Sequence, residues 1–297
     1  MNRIDTLKYR IILGLLRALA RLPLGALYVL SDAACFVVHR IVRYRLGVVR
    51  ANLRNAFPEK NEHERRRIER QFYAYLCDCI VETIKLLHIS DAELMRRIAF
   101  RDVAVIDRLA SGPGQPVVLF LGHYGNWEWV QAISFVLHRP QVTGALYRPL
   151  KNKVADRLML RIRSRFDNLC IPMKQAYRTM LRLKCEGTPF TIGFIADQRP
   201  TGRIHEGHEV DFLGLRTAFL TGGETIGQKI GARFVYLDIV RPRRGHYEIT
   251  FREIRPAAAP VTAYPYTEAF LKMLEQTIRR APAFWLWSHN RWRLPRK

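Results

Sequence analysis

The chain has 297 residues, 48% of them apolar and 25% charged, which excludes a disordered tail and a polytopic membrane protein. Lys and Arg outnumber Asp and Glu 49 to 26, for a formal charge of +23. That excess calls for an anionic partner: nucleic acid, an anionic membrane, a phosphorylated lipid or an acidic protein. Five cysteines at 35, 77, 79, 170 and 185 are few and odd in number, as for reduced thiols. Nothing beside Cys77 and Cys79 completes a zinc set, so no metal is expected.

Residues 4–54 read as helices, and Pro23 breaks them. Residues 11–38 carry only Arg17, Arg21 and Asp32 as charges. The uncharged run from Leu22 to Ser31 falls short of the roughly 20 residues of a bilayer span. A helix lying in the membrane interface fits better, with Ile11, Ile12, Leu15 and Leu19 on its apolar face. The basic cluster Arg40, Arg43, Arg45, Arg50 and Arg54 then faces an anionic leaflet. A cleaved signal peptide is the weaker reading, because the apolar run at 11–16 is too short for its core. Residues 1–57 are therefore set apart as a membrane-associating helical region, and 58–297 as an α/β domain.

After Pro58, Asn61 caps a long helix near 62–88, with Ile68, Phe72, Tyr75, Leu76, Cys79, Ile80 and Thr83 at helical spacing. Strands are expected at 116–121, 142–147, 189–196 and 233–240, with an alternating, antiparallel strand at 247–252. Helices are expected at 127–138, 153–166, 174–186, 216–230 and 265–280. Strands alternating with helices predict an α/β fold with a mainly parallel or mixed central sheet flanked by helices.

The informative segment is Leu121-Gly122-His123-Tyr124-Gly125-Asn126-Trp127-Glu128. A strand ends, a glycine turn follows, and Asn126 is placed to cap the next helix. Sites in open α/β sheets form at such carboxyl ends. If the turn folds back, Glu128 reaches the His123 imidazole and makes it a general base. Amides at the helix start then face a developing oxyanion. No Ser or Cys sits in the turn, so the nucleophile is a hydroxyl of the substrate. Arg148, past another strand end, is a candidate for phosphate or oxyanion contact. A lone histidine in a turn also fits a purely structural role.

The His-x-x-x-x-Glu turn resembles the signature of glycerolipid-type acyltransferases, and HYGNWEW resembles the branch containing the late acyltransferases of lipid A biosynthesis. Asn52 to Pro58 is similar to that family's NL..AFP block, and Tyr147 to Asn152 to its YRPL.N block. Arg161 to Arg165 resembles its arginine-rich helix, without the usual Gly or Asn setting. Ala196-Asp197-Gln198 resembles its DQ block, Val210 to Gly214 its V.FFG block, and Trp285 to Trp292 its W.W.H.RW block. The resemblance implies transfer of a fatty acyl chain from acyl carrier protein to a hydroxyl of an anionic lipid A precursor. It implies His123 as base, Glu128 as its orienting acid, and Asp197 either sharing that role or capping a turn. Asn126 and Arg148, with Arg163 and Arg165 as headgroup or carrier contacts, complete the candidate substrate-binding set.

No cofactor is implied. The expected partners are acyl carrier protein, the glycolipid and the cytoplasmic face of the inner membrane, reached peripherally or by one N-terminal anchor; nucleic acid is not expected. The alternatives are a glycerophospholipid, aminolipid or phosphatidylinositol mannoside acceptor with acyl-CoA as donor, or a non-catalytic basic membrane or nucleic-acid binder.

Overall fold

The computed structural model describes residues 3–139, 141–200 and 209–292. At the N-terminus, α1 (Arg3–Arg21) and α2 (Leu24–Phe36) are separated at Pro23, which has no N–H to continue the first helix. The C-terminal carbonyls of α1 are met by a buried cation: Lys85 Nζ donates to Ala20 O at 3.0 Å and Leu22 O at 2.8 Å. A π-helical turn, Val37–Ile41, prolongs α2, so Leu24–Ile41 forms one apolar helix of 18 residues. By length and composition it is able to cross a membrane. The uncharged run in the sequence understates this length, because Asp32 does not end the helix: Arg244 reaches across to bind it at 2.7 Å.

Next come α3 (Leu46–Ala56) and α4 (Glu62–Lys85). The latter starts at a reciprocal cap, Glu64 N to Asn61 Oδ1 at 2.9 Å and Asn61 N to Glu64 Oε2 at 2.8 Å. Leu24 and Leu27 of α2 and Val49 and Leu53 of α3 share one apolar core with Phe72 and Tyr75 of α4 and with the sheet. Asp78 of α4 bolts α2 down: it accepts from Ser31 Oγ at 2.7 Å and from Arg244 at 2.6 Å.

The α/β part continues as α5 (Asp91–Arg97), β1 (Ile98–Arg101), α6 (Ala104–Leu109), β2 (Pro116–Leu121), β3 (Val142–Tyr147), α7 (Lys153–Arg163), β4 (Leu169–Pro172), α8 (Ala176–Cys185) and β5 (Phe190–Ile195). It closes with β6 (Glu209–Phe212), β7 (Leu215–Ala218), α9 (Gly222–Lys229), β8 (Arg233–Arg243), β9 (His246–Glu253) and α10 (Pro265–Arg280). Seven strands form one sheet in the order β1-β9-β8-β2-β5-β3-β4. Every pairing is parallel except that of β8 with β9. β2 lies near the middle and all six of its residues are buried, which is why it reads as an unbroken apolar run.

Two expected helices differ. The segment at 216–230 opens as a strand, because Leu213 and Gly214 both take positive φ and turn the chain into the β6–β7 hairpin; only Gly222–Lys229 is helical. The helix expected at 127–138 is a 3₁₀ segment, Trp129–Phe135.

Candidate active site

The register of β2 against β5 builds the site. Leu121 pairs with Ile195, so the residues two steps past each strand end, His123 and Asp197, face each other. His123 Nδ1 lies 2.6 Å from Asp197 Oδ1, and the His123 backbone N–H donates to Asp197 Oδ2 at 2.9 Å. Trp285 Nε1 donates to the same Oδ2 at 2.8 Å. Asp197 is buried. Burial alone would raise its pKa, but the His123 charge and these hydrogen bonds hold it down at about 2. The carboxylate is therefore ionised, and the imidazole proton sits on Nδ1. Nε2 keeps its lone pair and accepts from the Gln198 carboxamide at 3.2 Å. The imidazole side chain is 18% exposed.

Of the two expected acids, Asp197 is the one in contact with the imidazole, and Glu128 is not. Glu128 is buried and turned away, in a bidentate pair with Arg163 of α7: Nε to Oε2 at 2.9 Å and Nη2 to Oε1 at 2.5 Å. Gln131 Nε2 adds a third bond to it at 3.2 Å. A carboxylate five residues on in the same turn is nearer in sequence, but the 3₁₀ start directs it towards α7.

The turn itself is held from three sides. Gly125 has φ +57° and a Cβ there would lie 2.5 Å from Ile239 Cγ2, so only glycine fits. Its carbonyl accepts from Tyr75 Oη at 2.7 Å, and its N–H donates to Phe284 O at 2.9 Å. Leu286 N donates to His123 O at 3.1 Å, which ties the C-terminal tryptophan segment to the turn. Asn126 is buried between Trp129 N, which it accepts from at 3.0 Å, and Glu82 Oε2, to which it donates at 2.7 Å. Of the amides at the helix start, that of Trp129 is therefore already bonded within the turn.

Glu82 escapes a reading by periodicity, although it is an acid in the apolar face of α4. It is fully buried and also accepts from Tyr28 Oη at 2.9 Å and Tyr247 Oη at 2.7 Å, with Arg241 3.9 Å away. Burial raises its pKa, and Arg241 and the three donors oppose that rise. Through Tyr28 it joins α2 to the residue that caps the histidine turn. Trp285, read from the sequence only as part of the C-terminal block, is the second miss. The Asn52 block is a third support, its carboxamide donating to Trp287 O and His289 O at 2.8 Å each.

Arg148 is exposed at the end of β3. β5 lies between β3 and β2, so the strands that end near Arg148 and His123 are not adjacent. Arg165 is engaged elsewhere, with Asp91 at 2.6 Å and Leu86 O at 2.8 Å. Beside the dyad, Trp127 packs edge-on to His123 with ring centroids 5.2 Å apart. Trp127 also lines a narrow cavity of about 60 Å³ between β2, β5 and β3. Glu128 and Arg163 form its polar end, and Leu119, Leu121, Val130, Ile133, Leu146 and Ile195 supply apolar walls. Gly193 lies in its lining and puts no side chain into it. Among the described residues, no group of three His, Cys, Asp or Glu side chains is arranged to hold a metal ion.

A nucleophile-free histidine–aspartate pair beside an apolar cavity suits acyl transfer between two bound substrates. The family model for bacterial lipid A biosynthesis acyltransferases matches residues 2–294. The chain belongs to that family. No curated protein matches it. For this acyltransferase, the matched span takes in both ends of the site, from the α2 tyrosine beneath Glu82 to the C-terminal tryptophans around Asp197.

Proposed function

We propose that the protein moves a fatty acyl chain from an acyl carrier protein thioester to a hydroxyl of a phosphorylated lipid A precursor, with His123 as general base. The observation that carries this reading is the bond from His123 Nδ1 to ionised Asp197, which leaves Nε2 basic and part-exposed. Nε2 takes the proton of the acceptor hydroxyl while its oxygen attacks the thioester carbonyl carbon. The tetrahedral intermediate collapses by breaking the C–S bond, and the departing sulfur takes the proton back from the imidazolium. Proton and charge are restored, and no group beyond the two substrates is consumed. Asp197 keeps the tautomer and stabilises the transient imidazolium.

The cavity behind Trp127 suits the acyl chain. Its volume holds about four water-sized groups. A long chain therefore enters only as the part-buried side chains at its rim, Trp127 first, give way. Membrane association is supported by Val29, Phe36, Val37 and Ile41, all exposed on the α2 helix and its extension, by Val42 just past it, and by Ile4, Leu7, Ile11 and Leu15 on α1. The +23 charge suits the acidic carrier protein, the phosphorylated acceptor and an anionic leaflet.

The test is reconstitution. Full-length protein in anionic vesicles, given acyl carrier protein thioester and a phosphorylated glucosamine-disaccharide acceptor, is expected to yield acceptor heavier by one acyl group, by mass spectrometry. Acylation of phosphatidylinositol mannoside instead, or of no lipid, overturns the reading.

A further inference from the structure

Arg291 carries a charge that nothing in the described structure meets. It lies in the C-terminal block, is 3% exposed, and its Nε, Nη1 and Nη2 all lack a hydrogen-bond partner among the described residues. Its guanidinium carbon lies 5.9 Å from the centre of the Phe212 ring. Burial lowers its pKa only to about 10, so it stays charged at neutral pH. An isolated buried cation is expensive, and buried charges ordinarily stand against an opposite one. Arg163 and Arg241 obey this, on Glu128 and Asp78. The negative charge of Asp197 acts on Arg291, but both oxygens of Asp197 already accept from His123 and Trp285.

The surroundings are built for an anion. Arg199 is the other charge that acts on Arg291, and its backbone N–H donates to His289 Nε2 at 3.2 Å. That bond fixes the His289 proton on Nδ1, and burial keeps the ring neutral, its pKa lowered to about 4. Arg45, a further cation acting on His289, donates to Ser288 O at 3.0 Å. Gln198, next to Arg199 in sequence, touches the catalytic imidazole.

Resting on the function proposed above, we infer that Arg291 binds a phosphate group of one of the two substrates, in the corner between Arg199, His289 and the dyad. A phosphate oxygen is the acceptor that a five-donor guanidinium pairs with best. Both substrates carry the chemistry: phosphate on the disaccharide, or the phosphodiester of the carrier's phosphopantetheine arm. The approach is from the part-exposed side of Gln198, Arg199 and His289. The guanidinium nitrogens are closed off from solvent, so binding opens that corner and pairing of the buried charge drives it.

The first readout is independent of acyl transfer. Full-length wild type is expected to unfold at higher temperature with sodium pyrophosphate present. Arg291→Met is expected to lose that response, and to unfold no earlier than wild type without the ligand, because an unpaired buried charge has gone. Arg291→Lys is expected to keep part of the response. An equal pyrophosphate shift in wild type and Arg291→Met overturns the inference whatever the protein's activity. So does an Arg291→Met protein that unfolds earlier and shows an unchanged KM for every substrate, since Arg291 then serves packing on Phe212.

The second readout names the source. Wild type and Arg291→Met are compared on acyl-phosphopantetheine against acyl-pantetheine, and on phosphorylated against phosphatase-treated acceptor. A tenfold or larger rise in KM for one phosphorylated substrate only, with no change for its phosphate-free form, supports the inference and identifies that substrate. A uniform fall in kcat on all four overturns it.

Discussion

Asp197→Asn separates the bracing role of Asp197 from mere packing. The carboxylate receives three N–H donors on two oxygens: His123 Nδ1 on Oδ1, and the His123 backbone and Trp285 Nε1 on Oδ2. An asparagine keeps two of these if its oxygen takes the Oδ2 place. Its amide N–H then points at His123 Nδ1, which must become the acceptor, so the imidazole proton moves to Nε2 and the base is lost. A wrong-tautomer substitution of this kind in the serine protease triad lowers kcat by about 10⁴. A fall of roughly 10²–10⁴ in kcat, with KM within a few-fold, is expected here.

Stability carries a second signature of the same substitution. Asp197 has its pKa lowered from 3.8 to about 2, so its ionised form stabilises the fold above pH 4. That contribution, about 2 kcal/mol, is lost as pH falls through 4 towards 2. The assays are acyl transfer at saturating substrate, and urea unfolding between pH 5 and pH 2.5. Wild type is expected to lose this increment on acidification and Asp197→Asn is not. Near-wild-type kcat in Asp197→Asn, together with abolished transfer in Glu128→Gln, would refute the reasoning and return the orienting role to Glu128.

Other outcomes follow from the same geometry. Arg163→Met leaves buried Glu128 unpaired and is expected to cost about 2–4 kcal/mol in urea unfolding, with much of it recovered in the Glu128→Gln/Arg163→Met double variant; strictly additive losses would show that the pair is not coupled. At Gly193 a Cβ meets nothing closer than 3.6 Å. Gly193→Ala is therefore expected to fold normally and, by narrowing the cavity, to shift the donor preference towards shorter acyl chains; an unchanged preference across a chain-length series would place the acyl chain elsewhere. Phe36→Glu with Ile41→Glu puts two charges on the exposed apolar face of α2 and its extension. Co-sedimentation with anionic vesicles is expected to fall at least tenfold, at about 2–3 kcal/mol per inserted charge; full retention would move the membrane contact off this helix.

Much of this was legible in the amino-acid sequence, for identifiable reasons. β2 and β5 are continuous apolar runs because both faces of a central parallel strand are buried, and the glycine turn after β2 marks a strand end. His123 was legible because its turn is local. Asp197 was legible only through its likeness to the DQ block, and choosing it over Glu128 depends on which strand pairs with β2 and in what register, a contact spanning 74 residues. The separation of Arg148's strand from β2 was hidden for the same reason, since β5 intervenes between β2 and β3. β1, β4 and the β6–β7 pair are four residues each, too short for periodicity to register. Glu82 was hidden by the reverse problem. An acid on a buried helical face reads as a break in the pattern until Tyr28, Asn126 and Tyr247 are seen to meet it.

His123→Gln tests most directly whether one ring nitrogen removes the acceptor's proton. The glutamine preserves a donor to Asp197, so circular dichroism, melting temperature and vesicle binding are expected to match wild type within small margins. Single-turnover acyl transfer from the carrier thioester is expected to slow by about 10³-fold or more. A variant that still transfers the chain within tenfold of the wild-type rate would contradict the assignment and place the base elsewhere.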